Sequence, residues 1–74
     1  MVSACILICC EAGRSEDVIK SLEGIGGVQR SFRTLGRWDI VADVEVGDME
    51  ELKETCFSIL KLDGIRATET LVEA

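Results

Sequence analysis

The apolar residues of this chain repeat every second position in some segments and at helical spacing in others. Residues 2–10 are apolar almost throughout, which is typical of a central strand covered on both faces. Residues 28–35, 38–46 and 65–72 alternate between apolar and polar side chains, as half-buried strands do. Residues 28–35 have a modest apolar content, which favours an edge strand. Alternation puts one set of their side chains on a common face: Val28, Arg30, Phe32 and Thr34.

Two segments between these strands have the spacing of amphipathic helices. In the first, Ser15 or Gly13 is expected to cap the helix, and the glycines at 24, 26 and 27 end it. In the second, Asp48 and Glu51 form an acidic variant of the capping box: Asp48 accepts from a helix N–H and Glu51 reaches back. The buried stripe of this second helix is predicted to be Met49, Leu52, Cys56, Ile59 and Leu60.

The segments follow the order strand–helix–strand–strand–helix–strand, which divides the chain into two similar halves. Right-handed crossovers place the first and third strands at the centre of an antiparallel sheet, with both helices on one face. This is the ferredoxin-like α+β arrangement, a βαββαβ sandwich with a four-stranded sheet. No helix is left to cover the other sheet face. We therefore expect two copies to dimerise through that face.

Length and charge limit the classes of function. The 74 residues suffice for one domain, residues 1–74, and so small a core favours oligomerisation. The formal net charge is -6 and the 8 basic residues are scattered, so we expect no direct binding of nucleic acid. The apolar N-terminal segment lacks the features of a signal peptide and is far shorter than a membrane span. We expect a cytoplasmic protein that makes no membrane contact.

The cysteines do not have the spacing of a metal or redox motif. Cys5 and Cys9 share one face of the first strand, Cys10 faces the other way, and Cys56 lies at an apolar position of the second helix. No pair has the C-x-x-C spacing, so the preferred interpretation is that all of them are small buried hydrophobes. Histidine, the commonest general base and metal ligand, is absent. We therefore nominate no catalytic residue, no metal ligand and no cofactor.

The turn between the second and third strands is the most informative feature for function. Gly36 and Arg37 are predicted to form it, and Trp38 and Asp39 follow at the start of the next strand. A glycine turn exposes backbone N–H groups, and Asp39 adds a carboxylate beside them. A free amino acid needs both, because its carboxylate seeks donors and its ammonium seeks an anion. The same residues also fit a purely structural interpretation: a turn glycine, a packed tryptophan and a solvated acid.

Four segments of the chain resemble the ligand-binding domains, or RAM domains, of the Lrp/AsnC family. These are the apolar first strand with residues 11–13, the hairpin 36–41, the segment 44–52 and the closing segment 62–72. Family members show a Gly–any–aromatic–Asp hairpin, an acidic-capped second helix and a late Thr–any–Thr strand. The resemblance extends over essentially the whole chain. It includes no helix-turn-helix, so we expect a stand-alone domain without DNA-reading activity of its own.

The resemblance implies a non-enzymatic regulatory domain that senses small effectors, usually amino acids. Face-to-face homodimers would assemble into larger rings, often octamers, with the effector bound between dimers. The hairpin would supply backbone donors, Asp39 would meet the ligand ammonium, and late-strand threonines of a neighbouring subunit would add hydroxyl contacts. The ligand-binding residues implied in this way are Gly36, Arg37, Trp38, Asp39, Thr68 and Thr70. Such a domain would act alone or co-assemble with a full-length Lrp/AsnC regulator and modulate it.

Three other interpretations fit the same topology. A dimeric α+β-barrel enzyme, such as a monooxygenase or isomerase, would depend on Asp39, Asp43, Glu45 or a cysteine for its chemistry. A heavy-metal carrier would require a cysteine pair in the loop after the first strand, whereas the adjacent cysteines of this chain are the last residues of that strand. A pure assembly module would bind no ligand at all.

Overall fold

The computed structural model describes residues 1–73 and contains four strands and two helices; Ala74, the last residue of the predicted domain, lies outside the described residues. In chain order the elements are β1 (Val2–Cys10), α1 (Ser15–Glu23), β2 (Val28–Arg33), β3 (Ile40–Val46), α2 (Met49–Leu60) and β4 (Ile65–Val72). This order confirms the predicted one, and β1 and β4 have the predicted bounds. β2 and β3 are shorter than predicted, because residues 34–39 form a loop.

The strands form one antiparallel sheet in the order β2-β3-β1-β4. β1 and β3 are central, as predicted, and pair in continuous register from Val2 opposite Val46 to Ile8 opposite Ile40. The nearly continuous apolar sequence of β1 predicts burial on both faces, whereas within the protomer only its even-numbered side chains are buried. The protein therefore has the ferredoxin-like α+β fold.

One face of the sheet carries the core of the protein. On β1 and β3 the even-numbered side chains point into this core, and Ile6, Ile8 and Ile40 are at most 1% exposed. Leu22 of α1 and Ile59 of α2 are completely buried in the same cluster. Each such side chain contributes about 1.5–3 kcal/mol on leaving water. The odd-numbered side chains of β1 and β3 lie on the opposite side of the sheet, called the open face below.

The two helices differ in how they begin. Asp48 caps α2 as predicted, because its side chain accepts a hydrogen bond of 2.9 Å from the Glu51 backbone N–H. The other half of the predicted capping box is not formed, since within residues 1–73 the Glu51 side chain accepts no hydrogen bond from the Asp48 N–H. α1 begins at Ser15, with Arg14 at the cap position and no capping side chain. The prediction that Ser15 or Gly13 caps α1 is therefore wrong. The reason is that Gly13, with φ of +80°, turns the chain before the cap position is reached.

The buried stripe of α2 is narrower than predicted. Its buried side chains are Leu52, Thr55 and Ile59. Met49 and Leu60 are 49% and 50% exposed, and Cys56 is only partly buried. Thr55, which apolar periodicity overlooks, lies against Gly27, where a Cβ would come within 3.3 Å of its hydroxyl. The helix thus packs on the sheet through one row of side chains, and the outer predicted positions remain accessible.

A β-bulge in β2 changes the face on which its side chains lie. Val28 pairs with Val44, but Arg30 pairs with Asp43, so the register shifts between them. Val44 belongs to the core side and Asp43 to the open face. Consequently Arg30 and Phe32 lie on the open face and Val28 does not, so the predicted common face is wrong. Strict alternation cannot anticipate the extra residue that a bulge inserts.

Candidate functional site

Residues 34–39 join β2 to β3 as an ordered loop, rather than as the tight turn that the sequence predicts. Thr34 closes this loop: its backbone N–H donates to the Asp39 carbonyl at 2.9 Å, and its hydroxyl donates to the Trp38 carbonyl at 2.6 Å. Gly36 has φ of +126°, a conformation that favours glycine over residues with a Cβ. The loop is therefore wider than a two-residue turn, and hydrogen bonds hold its base.

The tip of this loop presents backbone donors to solvent. Leu35, Gly36 and Arg37 are exposed, and Trp38 is partly buried. Within residues 1–73, the N–H groups of Gly36, Arg37 and Trp38 donate to no protein acceptor. In the same part of the chain the Arg37 guanidinium has no carboxylate within 4.0 Å. The loop thus has N–H groups and a cation that are available to a ligand.

Asp39 lies where the loop returns to the sheet, and its side chain is anchored there. Its Oδ2 accepts a hydrogen bond of 2.9 Å from the Cys10 backbone N–H, and its own N–H donates to the Ile8 carbonyl. The bond from Cys10 lowers the pKa of Asp39; desolvation opposes this, and the Cys9 thiol and the charge of Arg66 lower the pKa further. Asp39 is therefore ionised at neutral pH. Because a carboxylate has about four acceptor positions, it retains capacity for a further donor.

Thr68 and Thr70 lie on β4, away from the loop. They pair with Ile8 and Ile6, whose side chains are buried on the core side of the sheet. The Thr70 hydroxyl is 3.4 Å from the Cys56 thiol of α2. β1 lies between β4 and β3, so the structure does not bring these threonines to the loop of the same protomer. A contribution from them would have to come from a neighbouring copy, as the resemblance implies.

Three surface depressions of the protomer lie away from the predicted site. Their volumes are about 290, 540 and 260 Å³. The largest lies between residues 24–27 and α2, where Glu51 and Glu54 are among its lining residues. None of the six predicted ligand-binding residues lines any of the three. A ligand at the loop therefore needs a second surface to enclose it.

The centre of the open face is apolar. Leu7 pairs with Val41 there, and Phe32 of β2, beside Val41, is 37% exposed. Arg30 stacks over the Phe32 ring, 4.7 Å from its centroid, and forms an ion pair of 2.7 Å with Asp43. Within the protomer nothing among residues 1–73 packs over this apolar centre as a helix does over the core side.

The cysteines are less buried than predicted. Only Cys10 is buried, whereas Cys5, Cys9 and Cys56 are partly exposed. The interpretation of all four as buried hydrophobes is therefore wrong for three of them within a protomer, since Cys5 and Cys9 face the open side. Desolvation raises the pKa of the Cys5 and Cys9 thiols, and a neighbouring carboxylate raises each further. Both thiols are consequently protonated, weak nucleophiles at neutral pH.

Clusters of metal-binding side chains and membrane-spanning helices are both absent from residues 1–73. Residues 1–73 contain no group of three or more histidine, cysteine or acidic side chains placed to hold a metal ion. Among the same residues, neither helix has the length and apolar character needed to cross a membrane.

Sequence reasoning does not reveal the two contacts that shape the loop. A threonine shortly before a glycine is one available signal for Thr34, because its hydroxyl often bonds to nearby backbone. Alternation assigns Thr34 to the strand instead. For Cys10 no signal is available, because it holds Asp39 through its backbone N–H, which every residue except proline has.

A known family of small α+β domains matches this chain over almost its whole length. The family model described as the Lrp/AsnC ligand binding domain matches residues 3–73 of the chain. The chain therefore belongs to the Lrp/AsnC ligand-binding domain family, which confirms the resemblance found in its sequence. Domains of this family are regulatory ligand-binding domains of transcription regulators.

Solved structures show close similarity over the whole fold. TTHA0845 from Thermus thermophilus is 31% identical with a TM-score of 0.94, covering 100% of this chain and 94% of that one. AsnC of E. coli is 26% identical with a TM-score of 0.91, covering 97% of this chain and 50% of that one. The transcriptional regulator NMB0573 of Neisseria meningitidis, in complex with L-Met, has a TM-score of 0.89 at 17% identity, covering 99% and 49%. At that identity the likeness shows the fold alone. The comparison with curated proteins found no match.

Proposed function

We propose that this protein binds a free amino acid at loop 34–39 and acts as the sensing domain of a regulator. The observation that carries the proposal is that unpaired backbone N–H groups lie next to the ionised Asp39 in one loop. An α-amino acid has its carboxylate and its ammonium on one carbon, so it needs donors and an anion side by side. The N–H groups of Gly36, Arg37 and Trp38 would bind the carboxylate, and Asp39 would bind the ammonium.

The comparisons support an amino acid as the ligand class. NMB0573, a transcriptional regulator of the same fold, is solved in complex with L-Met. In the present protein the loop is compatible with a small zwitterion, because its tip has backbone N–H groups without a protein acceptor and the Asp39 carboxylate, which accepts from the Cys10 N–H, can accept a further hydrogen bond.

The site is completed by assembly in this proposal. Two copies cover the apolar centre of the open face and form a homodimer from single domains, residues 1–74. Dimers then assemble into an octamer or a similar ring, in which Thr68 and Thr70 of a neighbouring copy reach the ligand. A ligand held between dimers stabilises the assembly that binds it, by its differential affinity. Co-assembly with a full-length Lrp/AsnC regulator would pass this change on to transcription.

The first test is a thermal-shift scan of the protein against the twenty free amino acids. A ligand at about 100 times its Kd adds roughly 2.7 kcal/mol to the state that binds it. For a domain of this size each kcal/mol raises the Tm by about 4–8 °C. A clear increase with one or a few amino acids is expected. A flat profile with all of them would contradict amino-acid binding and favour a ligand-free assembly module.

The second test is calorimetry of Asp39→Asn with the amino acid found in that scan. The asparagine oxygen still accepts from the Cys10 N–H, so the anchor of the loop is kept while the negative charge is lost. We expect the affinity to fall by about tenfold or more, because a charge-assisted hydrogen bond to the ammonium is lost. Asp43→Asn in β3 is the matched control, since it removes an acid that pairs with Arg30 and lies outside the loop, and it should leave the affinity unchanged. Equal affinities of Asp39→Asn and the unaltered protein would exclude Asp39 from the site.

A further inference from the structure

A second β-bulge re-aims one side chain of β4. Where β1 pairs with β4, Cys9 lies opposite Ala67 and Cys10 lies opposite Ile65, so the register shifts. Arg66 is the extra residue. Alternation along β4 would put Arg66 on the core side with Thr68. A residue inserted at a bulge does not follow that alternation, so the Arg66 side chain is not confined to the core side.

The charge of Arg66 acts on the same groups that anchor the loop. It lowers the pKa of Asp39, after the larger effect of the Cys10 N–H, and it opposes the desolvation that raises the pKa of Cys9. Asp39 approaches the Cys9–Cys10 segment from the β3 side, and Arg66 approaches it from the β4 side. An anion and a cation therefore flank the end of β1, and the loop lies beyond the anion.

Arg66 differs from most other arginines of the chain in having no ion-pair partner. Arg14, Arg30 and Arg33 each have a carboxylate within 4.0 Å. Arg66 is exposed and has none within that distance among residues 1–73. Its planar guanidinium is thus free to bind a carboxylate through two parallel hydrogen bonds.

We propose that Arg66 is a specificity-determining residue of the amino-acid site and selects ligands with an acidic side chain. This inference rests on the function proposed for loop 34–39. We place the ligand carboxylate at the loop N–H groups, its ammonium at Asp39 and its side chain on the β4 side of Asp39, where Arg66 lies opposite the Cys9–Cys10 segment. A side-chain carboxylate in that position meets the Arg66 guanidinium, whereas a carboxamide of the same shape brings no charge.

Calorimetry with two isosteric ligand pairs tests this inference: aspartate against asparagine, and glutamate against glutamine. The unaltered protein should bind at least one acid about tenfold or more tightly than its amide, the ratio that one charge-assisted hydrogen bond supplies. Arg66→Gln should reduce that ratio to about one, because the acid loses a charge-assisted hydrogen bond and the amide loses at most a neutral one. Arg66→Lys should restore part of the ratio, because it returns the charge without the planar fork. Lys20→Gln, which removes another exposed cation, should leave the ratio as it is.

The outcomes separate this inference from the function on which it rests. If amino acids bind but the acids bind no more tightly than their amides, Arg66 has no role in selection while the loop remains the site. The same conclusion follows if Arg66→Gln keeps the full ratio. If no amino acid binds the unaltered protein, the proposed function fails, and the inference fails with it.

Discussion

Replacing Thr34 with valine removes the hydroxyl that holds the base of loop 34–39 and leaves a side chain of nearly the same shape. This hydroxyl donates to the Trp38 carbonyl at 2.6 Å, while the Thr34 backbone N–H donates independently to the Asp39 carbonyl. A neutral hydrogen bond contributes about 0.5–1.5 kcal/mol net to stability. Thr34 is partly buried, so water replaces the lost bond only in part. We expect Thr34→Val to lower the free energy of unfolding by about 1 kcal/mol.

Two measurements check this expectation. A loss of about 1 kcal/mol lowers the Tm of a domain of this size by about 4–8 °C, which circular dichroism resolves. Calorimetry should also show weaker amino-acid binding, because the loop N–H groups are no longer held in place before the ligand arrives. Thr34→Ser keeps the hydroxyl and is the control. The reasoning is refuted if Thr34→Val matches the unaltered protein in both measurements, or if Thr34→Ser loses as much as Thr34→Val.

Two further predictions concern the fold. Gly27 has φ of +95°, and a Cβ there would lie 2.9 Å from Val46 Cγ1; Gly27→Ala should therefore cost about 2–4 kcal/mol in urea unfolding, from backbone strain and overpacking. Gly13 has φ of +80° and a Cβ there would have no neighbour within 4 Å, so Gly13→Ala should lower the free energy of unfolding only by the backbone strain, about 1–2 kcal/mol. Equal losses for the two variants would show that the contact between a Cβ at position 27 and Val46 costs nothing. The Arg14 guanidinium lies 2.8 Å from the Asp63 carboxylate and lowers the pKa of Asp63. The ion pair therefore stabilises the fold fully above the ordinary pKa of 3.8. This stabilisation is lost as the pH falls through the lowered pKa of Asp63 in the folded protein. Stability curves of Asp63→Asn and the unaltered protein should converge in strong acid; a constant gap down to about pH 2 would contradict this.

Features of the fold with local causes could be predicted from the sequence. The bounds of β1 follow from one nearly continuous apolar run that stops before Glu11. The cap of α2 follows from the reach of the Asp48 side chain to a backbone N–H three residues on. With the elements known, the right-handed crossover rule leaves few topologies, and the observed order β2-β3-β1-β4 is the expected one.

The sequence-based predictions of side-chain direction are wrong where two strands pair through a β-bulge. The bulge after Val28 moves Arg30 and Phe32 to the open face, and the bulge opposite Cys9 releases Arg66 from the alternation of β4. Each bulge is a property of a pair of strands, so the pattern of one strand does not contain it. The predicted buried stripe of α2 is wrong for a related reason. Thr55 is buried because Gly27, distant in the sequence, has no side chain to occupy the same space.

For the candidate site, the sequence by itself determined the residue types: a glycine that opens a loop, an acid that follows it, and a cation beside them at Arg37. Only the tertiary structure decided what surrounds that acid. The Cys10 N–H that anchors Asp39 comes from 29 positions earlier, and Arg66 comes from the far side of β1. The type and spacing of side chains determine structure only within one turn or one strand. The partners of a loop and of a bulge are chosen only when separate strands meet and each buried or half-buried polar group finds a donor or an acceptor.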